Sequence, residues 1–223
     1  MKRSEVNLAI KEAIKTLDDN GFRLPSFAYW TVDEWKQNHH QLDNLREVGL
    51  GWDVTDFGTG NFAKVGAVLF TVRNGSPKDA TLGTPYAEKI ILLKPGQEIP
   101  FHYHVVKTED IINRGGGVLV LELYNSAEDG GLDRVSPIHV KMDGILHTLP
   151  AGAVVEVEKG NSITLHPGLY HRFWAKKDAG DLIVGEVSSV NDDETDNVFL
   201  EVPERFARIE ENVPAEFLLC SEY

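Results

Sequence analysis

The chain has 223 residues, of which 42% are hydrophobic and 26% charged, with a formal net charge of −13 at pH 7. That length can bury a core without disulfide staples, and so balanced a composition excludes extensive disorder. The acidic surplus argues against nucleic acid or an anionic membrane as main partner, because both need a positive surface; a small neutral substrate fits more easily.

The first residues begin basic, but Glu5, Lys11, Glu12 and Lys15 interrupt them, so they lack the unbroken apolar core of a signal peptide. No stretch reads as a membrane span. The single cysteine, Cys220, allows no intrachain disulfide and makes the cytoplasm the expected compartment. Val6, Ile10, Ala13, Ile14 and Leu17 recur at helical spacing before an Asn20-Gly21 stop, which predicts a helix of about four turns. Thr31-Val32-Asp33-Glu34 is a capping-box pattern opening a short helix that carries Trp35. His39 and His40 fall near its end and read as surface residues.

From about Gly49 the texture changes to short apolar runs broken by Gly, Pro, Asn and Asp. Strands are predicted at Val65 to Val72, Ile90 to Leu93, Val118 to Leu123, Val135 to Val140, Ala153 to Val157, Ser162 to Leu165, His171 to Trp174 and Leu182 to Val190. Residues 76 to 79 and 127 to 131 read as turns. Eight or so short strands make a barrel or a double-sheet jelly roll. The expected organisation is a single all-β domain over 1–223, with a helical extension at 1–48, the barrel at 49–200 and a covering segment at 201–223.

Two histidines two residues apart on a strand, His102 and His104, point to the same side of a sheet. Glu109 follows closely enough to bring a carboxylate to the same point, and His171 opens another strand after a Pro-Gly turn. One such histidine alone reads as a polar residue on a wet face; four residues at this spacing read as a ligand set for one divalent ion. Three imidazoles and a carboxylate leave open positions and suit Mn, Fe, Co, Ni or Zn. His139, His147 and His166 have no partner at ligand spacing. Trp52, Phe101, Tyr103, Phe173 and Trp174 can line a cavity, though barrel core is the default for each.

Gly96 to Gly116 resembles the first cupin motif, Gly-x5-His-x-His-x4-Glu-x6-Gly, at every fixed position. The second motif is matched by Gly160, Gly168 and His171, with His166 in its proline slot, proline one place later, and Ala175 in its terminal asparagine slot. The run Gly185-Glu186-Val-Ser-Ser-Val-Asn191-Asp192-Asp193-Glu194-Thr-Asp196-Asn197, with Lys107 between the ligands and the helical extension, resembles the D-lyxose isomerase family over nearly the whole chain.

The resemblance implies a cupin-fold, metal-dependent ketol-isomerase with one ion per subunit, manganese by expectation and Zn2+, Co2+ or Fe2+ as alternatives. It implies a free monosaccharide as substrate, with D-lyxose and D-xylulose, and D-mannose and D-fructose, as the interconverted pairs. Glu186 shares a strand side with Leu182, Val184 and Ser188, and periodicity leaves open whether that side faces a cavity or solvent; the resemblance makes it the general base. Lys107 either hydrogen-bonds the sugar or is a solvated lysine. Asp193 lies in an acidic turn that the resemblance brings near the sugar, and Glu204 and Arg205 reach the site from the C-terminal segment or form an ordinary surface ion pair. A cupin Fe(II) dioxygenase and a non-catalytic sugar-binding cupin are the competing readings. No Arg or Lys cluster for a phosphate is present, and a homodimer is the expected assembly.

Overall fold

Helix α1 (Arg3–Asp19) buries Val6, Ile10, Ala13 and Leu17 on one face. It ends where Gly21 takes φ +66 and the Phe22 N–H returns to the Leu17 carbonyl at 2.9 Å, the αL stop that Asn20-Gly21 predicts. The computed structural model describes residues 1–38, 42–192, 195–201 and 205–223. In α2 (Val32–Asn38) the capping box forms: the Glu34 N–H donates to Thr31 Oγ1 at 3.3 Å, and the Thr31 N–H donates to Glu34 Oε2 at 2.7 Å. Trp35 is buried in an aromatic cluster with Phe27, Trp30 and Tyr223. His39 and His40 lie outside the described residues.

Fourteen strands follow among the described residues. They are β1 (Gly51–Thr55), β2 (Ala67–Gly75), β3 (Gly83–Leu93), β4 (Glu98–His104), β5 (Glu109–Gly116), β6 (Leu119–Ser126) and β7 (Leu132–Asp133), then β8 (Ile138–Met142), β9 (Ile145–Leu149), β10 (Ala153–Val157), β11 (Ser162–Leu165), β12 (Leu169–Ala175), β13 (Leu182–Ser188) and β14 (Asn197–Phe199). Pairing is antiparallel in two facing sheets, β1-β2-β3-β13-β5-β11-β8-β9 and β10-β6-β12-β4-β14, the cupin jelly roll with helices at its N-terminal end. The strand expected from Val135 starts only at Ile138. Asp133 Oδ1 accepts the N–H groups of Val135 and Ser136 in a turn, Pro137 has no N–H for a ladder, and Val135 is exposed.

The inner core is built from both sheets by residues such as Leu69, Ile91, Ile111, Leu121, Ile163, Phe173 and Val184. The larger sheet also buries its outer face. Trp52, Val68, Phe70, Ile90, Leu92 and Ile183 pack under α1, and Leu219 joins them from the C-terminal segment. With both faces covered, β2, β3 and β13 read as continuous apolar runs rather than alternating ones. That segment is stitched to α1 and β1: the Cys220 N–H donates to the Trp52 carbonyl at 2.7 Å, and buried Arg3 pairs with Glu211 and Glu222.

Candidate metal centre and sugar site

Antiparallel pairing places His171 of β12 opposite His102 of β4, and Ser188 of β13 opposite Glu109 of β5, so one end of the barrel gathers the chemistry. His102 and His104 flank Tyr103 and point inward together. A four-residue turn, 105–108, then brings Glu109 round at the start of β5. The ligating atoms of His102, His104, Glu109 and His171 all lie within 4.8 Å of one another, and all four residues are buried.

Two of the imidazoles are anchored in the same way. His102 Nδ1–H donates to the Pro100 carbonyl at 2.9 Å and His171 Nδ1–H to the Leu169 carbonyl at 3.0 Å, which leaves each Nε2 free as a base toward the centre. Burial, followed by the neighbouring His171 and His104, holds His102 well below the usual imidazole range, so it is neutral. Burial pushes the Glu109 carboxyl up, but Lys107 and His104 outweigh it and hold it well below the usual carboxylate range.

His104 Nε2 and His171 Nε2 lie 3.2 Å from Glu109 oxygens but without hydrogen-bond angles. With His104 Nδ1 they are buried nitrogens that have no hydrogen-bond partner among the described residues. Such an atom costs about 1–3 kcal/mol if left unsatisfied. Buried imidazole nitrogens and an ionised carboxylate converging on one point are the donor set of a divalent cation, so these residues fit one. The second-motif departures leave the approach to His171 intact: Gly168 takes φ +78 and donates its N–H to the His104 carbonyl at 2.9 Å.

Beside the ligands lies a second buried cluster. Lys107 Nζ is 2.8 Å from Glu186 Oε1 and 2.9 Å from Glu109 Oε2, bridging the two carboxylates. Burial lowers the Lys107 pKa, but Glu109 and Glu186 more than offset it and raise it above the ordinary lysine value. Glu186 faces the interior with Leu182 and Val184. Opposite it on β3, buried Lys89 donates to Asn191 Oδ1 at 2.7 Å and lies 3.9 Å from Glu186 Oε1. The formal charges of Lys89, Lys107, Glu109 and Glu186 cancel, so a bound dication would leave the site net positive, suited to negative charge developing on a ligand.

These groups floor a small cavity of about 40 Å³ walled by Phe57, Leu69, Ile99, Phe173 and Phe199. Arg205 lies at its edge, 2.8 Å from Asp53 of β1. A second, wider cavity of about 340 Å³, which shares Leu69 and Arg205 with the first, runs past Asn74, Asp192 and Phe206.

The D-lyxose isomerase family model matches residues 1–223. The D-lyxose/D-mannose isomerases of Escherichia coli O157:H7 and Serratia proteamaculans are 44% and 43% identical to this chain, over all of it and 98% of theirs. The chain belongs to the D-lyxose isomerase family. It is thus a sugar aldose–ketose isomerase, and neither the dioxygenase nor the non-catalytic reading is favoured. Among solved structures, a point mutant of the Acinetobacter sp. DL28 L-ribose isomerase in complex with L-ribose shares the fold at TM-score 0.62 and 15% identity, covering 94% of this chain and 98% of that one. The Geodermatophilus obscurus L-ribose isomerase aligns at TM-score 0.53 and 19% identity, over 90% and 92%.

Of the site residues expected in this isomerase, His102, His104, Glu109, Lys107, Glu186 and Arg205 line one cavity and His171 completes the ligand cluster, while Asp193 and Glu204 lie outside the described residues. Phe173 lines the cavity, whereas Trp52 belongs to the core under α1. Lys89, Phe57 and Phe199 are missed by sequence reasoning. For Lys89 a signal exists, since it has the same strand parity as Ile91 and Leu93. No helix among the described residues is long and apolar enough to cross a membrane.

His102 carries a pH prediction. An unfolded chain protonates this imidazole near its ordinary pKa of about 6.5, whereas the folded site keeps it neutral. Below about 6.5 the unfolded state therefore binds more protons, and stability falls with falling pH. Urea denaturation in EDTA at about pH 7 and about pH 5.5 should show this loss, and His102→Asn should show less of it. Equal losses in both proteins would reject His102 as the source.

Proposed function

We propose that this isomerase interconverts D-lyxose with D-xylulose and D-mannose with D-fructose by proton transfer between C2 and C1 through a cis-enediol. The divalent ion is manganese, held by His102, His104, Glu109 and His171. The reading is carried by one observation: the Glu186 carboxylate lines the same cavity as His102, His104 and Glu109 of the donor cluster, and the Lys107 ammonium bridges it to Glu109.

Bound at that cluster, the ion supplies Lewis acidity that favours negative charge on the sugar's C1 and C2 oxygens. Glu186 accepts the C2 proton as the carbonyl oxygen at C1 gains one, giving the enediol. It then returns its proton to C1 while the C2 hydroxyl loses its own, giving the ketose. Lys107 donates a hydrogen bond to the oxygen on which charge builds, and its two carboxylate contacts keep it fixed and charged. Lys89 and Arg205 bind hydroxyls farther along the chain of the sugar, and Asp193 and Glu204 are assigned to sugar binding with them.

D-lyxose is D-mannose without its sixth carbon, so both present the same stereochemistry at the reacting end. The second cavity, reached past Arg205, supports room for the extra carbon. The working form is a cytoplasmic homodimer. Exposed Ile145 and Leu146 on edge strand β9 and exposed Val154 on edge strand β10 support the dimer, and light scattering tests it.

A screen of free aldoses with added Mn2+, read as ketose formation, tests class and substrate together. Absence of turnover on both D-lyxose and D-mannose would reject the substrate assignment. The proton route makes its own prediction: sugar deuterated at C2 should react with a primary isotope effect and exchange label with solvent. Complete retention over many reversible turnovers would rule out transfer through Glu186.

A further inference from the structure

The turn 105–108 carries Lys107 and separates two members of the donor cluster, yet it has little packing to fix it, since Val105 and Val106 are 52% and 77% exposed. Its backbone is held instead by Asp196, just before β14. The Asp196 carbonyl accepts the Val105 N–H at 3.0 Å, Oδ1 accepts the Val106 N–H at 2.7 Å, and Oδ2 accepts the Lys107 N–H at 3.2 Å. Pairing of β14 with β4, Asn197 opposite His104, sets this alignment.

The same carboxylate faces a metal-site imidazole. His102 and His171 each fix their ring through a carbonyl two residues earlier, but His104 does not. Its Nδ1 is buried, has no hydrogen-bond partner among the described residues, and lies 3.6 Å from Asp196 Oδ2. If Nε2 is to be a ligand, the ring proton must sit on Nδ1, and a carboxylate there fixes that tautomer and raises the basicity of the other nitrogen. A small rotation of either side chain closes 3.6 Å to hydrogen-bond distance. In the sequence, Asp196 stands in the acidic run from Asp192, where charges are usually solvated; in the fold it is buried.

We propose that Asp196 is a positioning residue that sets the His104 imidazole and the Lys107 turn together, so that ion binding and proton transfer depend on one carboxylate. This rests on the reading of His102, His104, Glu109 and His171 as a divalent-ion site. The test is calorimetric titration of Mn2+ into the chelator-stripped full chain, for the wild type, Asp196→Asn, Asp196→Glu and His104→Ala, with melting of the stripped proteins as the folding control.

Asp196→Asn keeps the shape but loses the charge, and should bind Mn2+ about 10–100-fold more weakly with its stripped melting temperature unchanged. At saturating Mn2+ its kcat should stay below the wild-type value while KM moves less, because Lys107 has lost its anchor. Asp196→Glu, which restores the carboxylate, should recover part of the affinity. Mn2+ binding of wild-type strength in folded Asp196→Asn would overturn the proposal while leaving the ion site standing. Should Asp196→Asn not fold, Asp196→Glu decides: affinity near the wild type supports the proposal, and a loss as large as that of His104→Ala overturns it. A wild type that takes up no Mn2+ would overturn the ion site itself.

Discussion

Glu186→Gln should lower kcat by about 10²–10⁴-fold, the usual contribution of a positioned general base, while Mn2+ binding is retained. The substitution keeps the volume and leaves an oxygen to accept from Lys107, which now sits 2.8 Å away. Lys107 also keeps Glu109 as its charged partner, so it is not left as an unpaired buried cation. What disappears is the atom that, on the proposed mechanism, takes the proton from carbon. Sugar binding rests on the ion and on hydroxyl contacts that the amide does not disturb, so KM should change far less than kcat. Steady-state kinetics with metal analysis on the same sample checks both halves. Near-normal turnover with metal bound would send the search for the base to Glu204, then to Glu194 or Asp193.

Loss of one ligand should be as severe. His171→Ala removes one of four donors from a fully buried position, and metal and activity should be lost together. His171→Asn keeps more of the volume and separates ligand loss from cavity formation. A ligand that binds only the folded state at a thousand-fold excess over its Kd stabilises by about 4 kcal/mol, which at this chain length raises Tm by roughly 10 °C. Mn2+ should therefore raise the melting temperature of the wild type and leave both variants where they were. The same expectation holds for His102→Ala, His104→Ala and Glu109→Ala. Full occupancy in any of them would remove that residue from the ligand set.

The donor cluster is legible in the sequence because its spacing is local: His-x-His on one strand, a carboxylate after a short turn, and a third histidine after a Pro-Gly corner. The side on which Glu186 lies is not legible, because β13 buries Leu182 and Val184 in the barrel and Ile183 under α1, which erases the alternation that would have told one face from the other. On β3 the parity that Lys89 shares with Ile91 and Leu93 is weakened in the same way, because Ile90 and Leu92 are buried on the other face. Asp196 is missed because an acidic run reads as solvated charge, and only the return of β14 beside β4 buries it. Among the strands, β9 escapes notice because Ile145 and Leu146 are exposed, so its apolar residues report no core. Long-range pairing decides each of these cases, and a local pattern carries no record of it.

The stitching of the C-terminal segment to α1 has a consequence for how the chain reaches its final form. Arg3 is buried only because Glu211 and Glu222 meet it, and Asn7 closes on the Pro214 carbonyl and the Glu216 N–H. These contacts join residues separated by more than 200 positions, so loop-closure entropy places them late in folding. During synthesis the first helix emerges early, yet its cationic end has no partner until residues 205–223 have left the ribosome. A nascent chain in which the barrel has already closed therefore still exposes the N-terminal end of α1. Protease cleavage near Arg3 should accordingly be fast on ribosome-bound chains stalled before residue 205 and slow on the released protein.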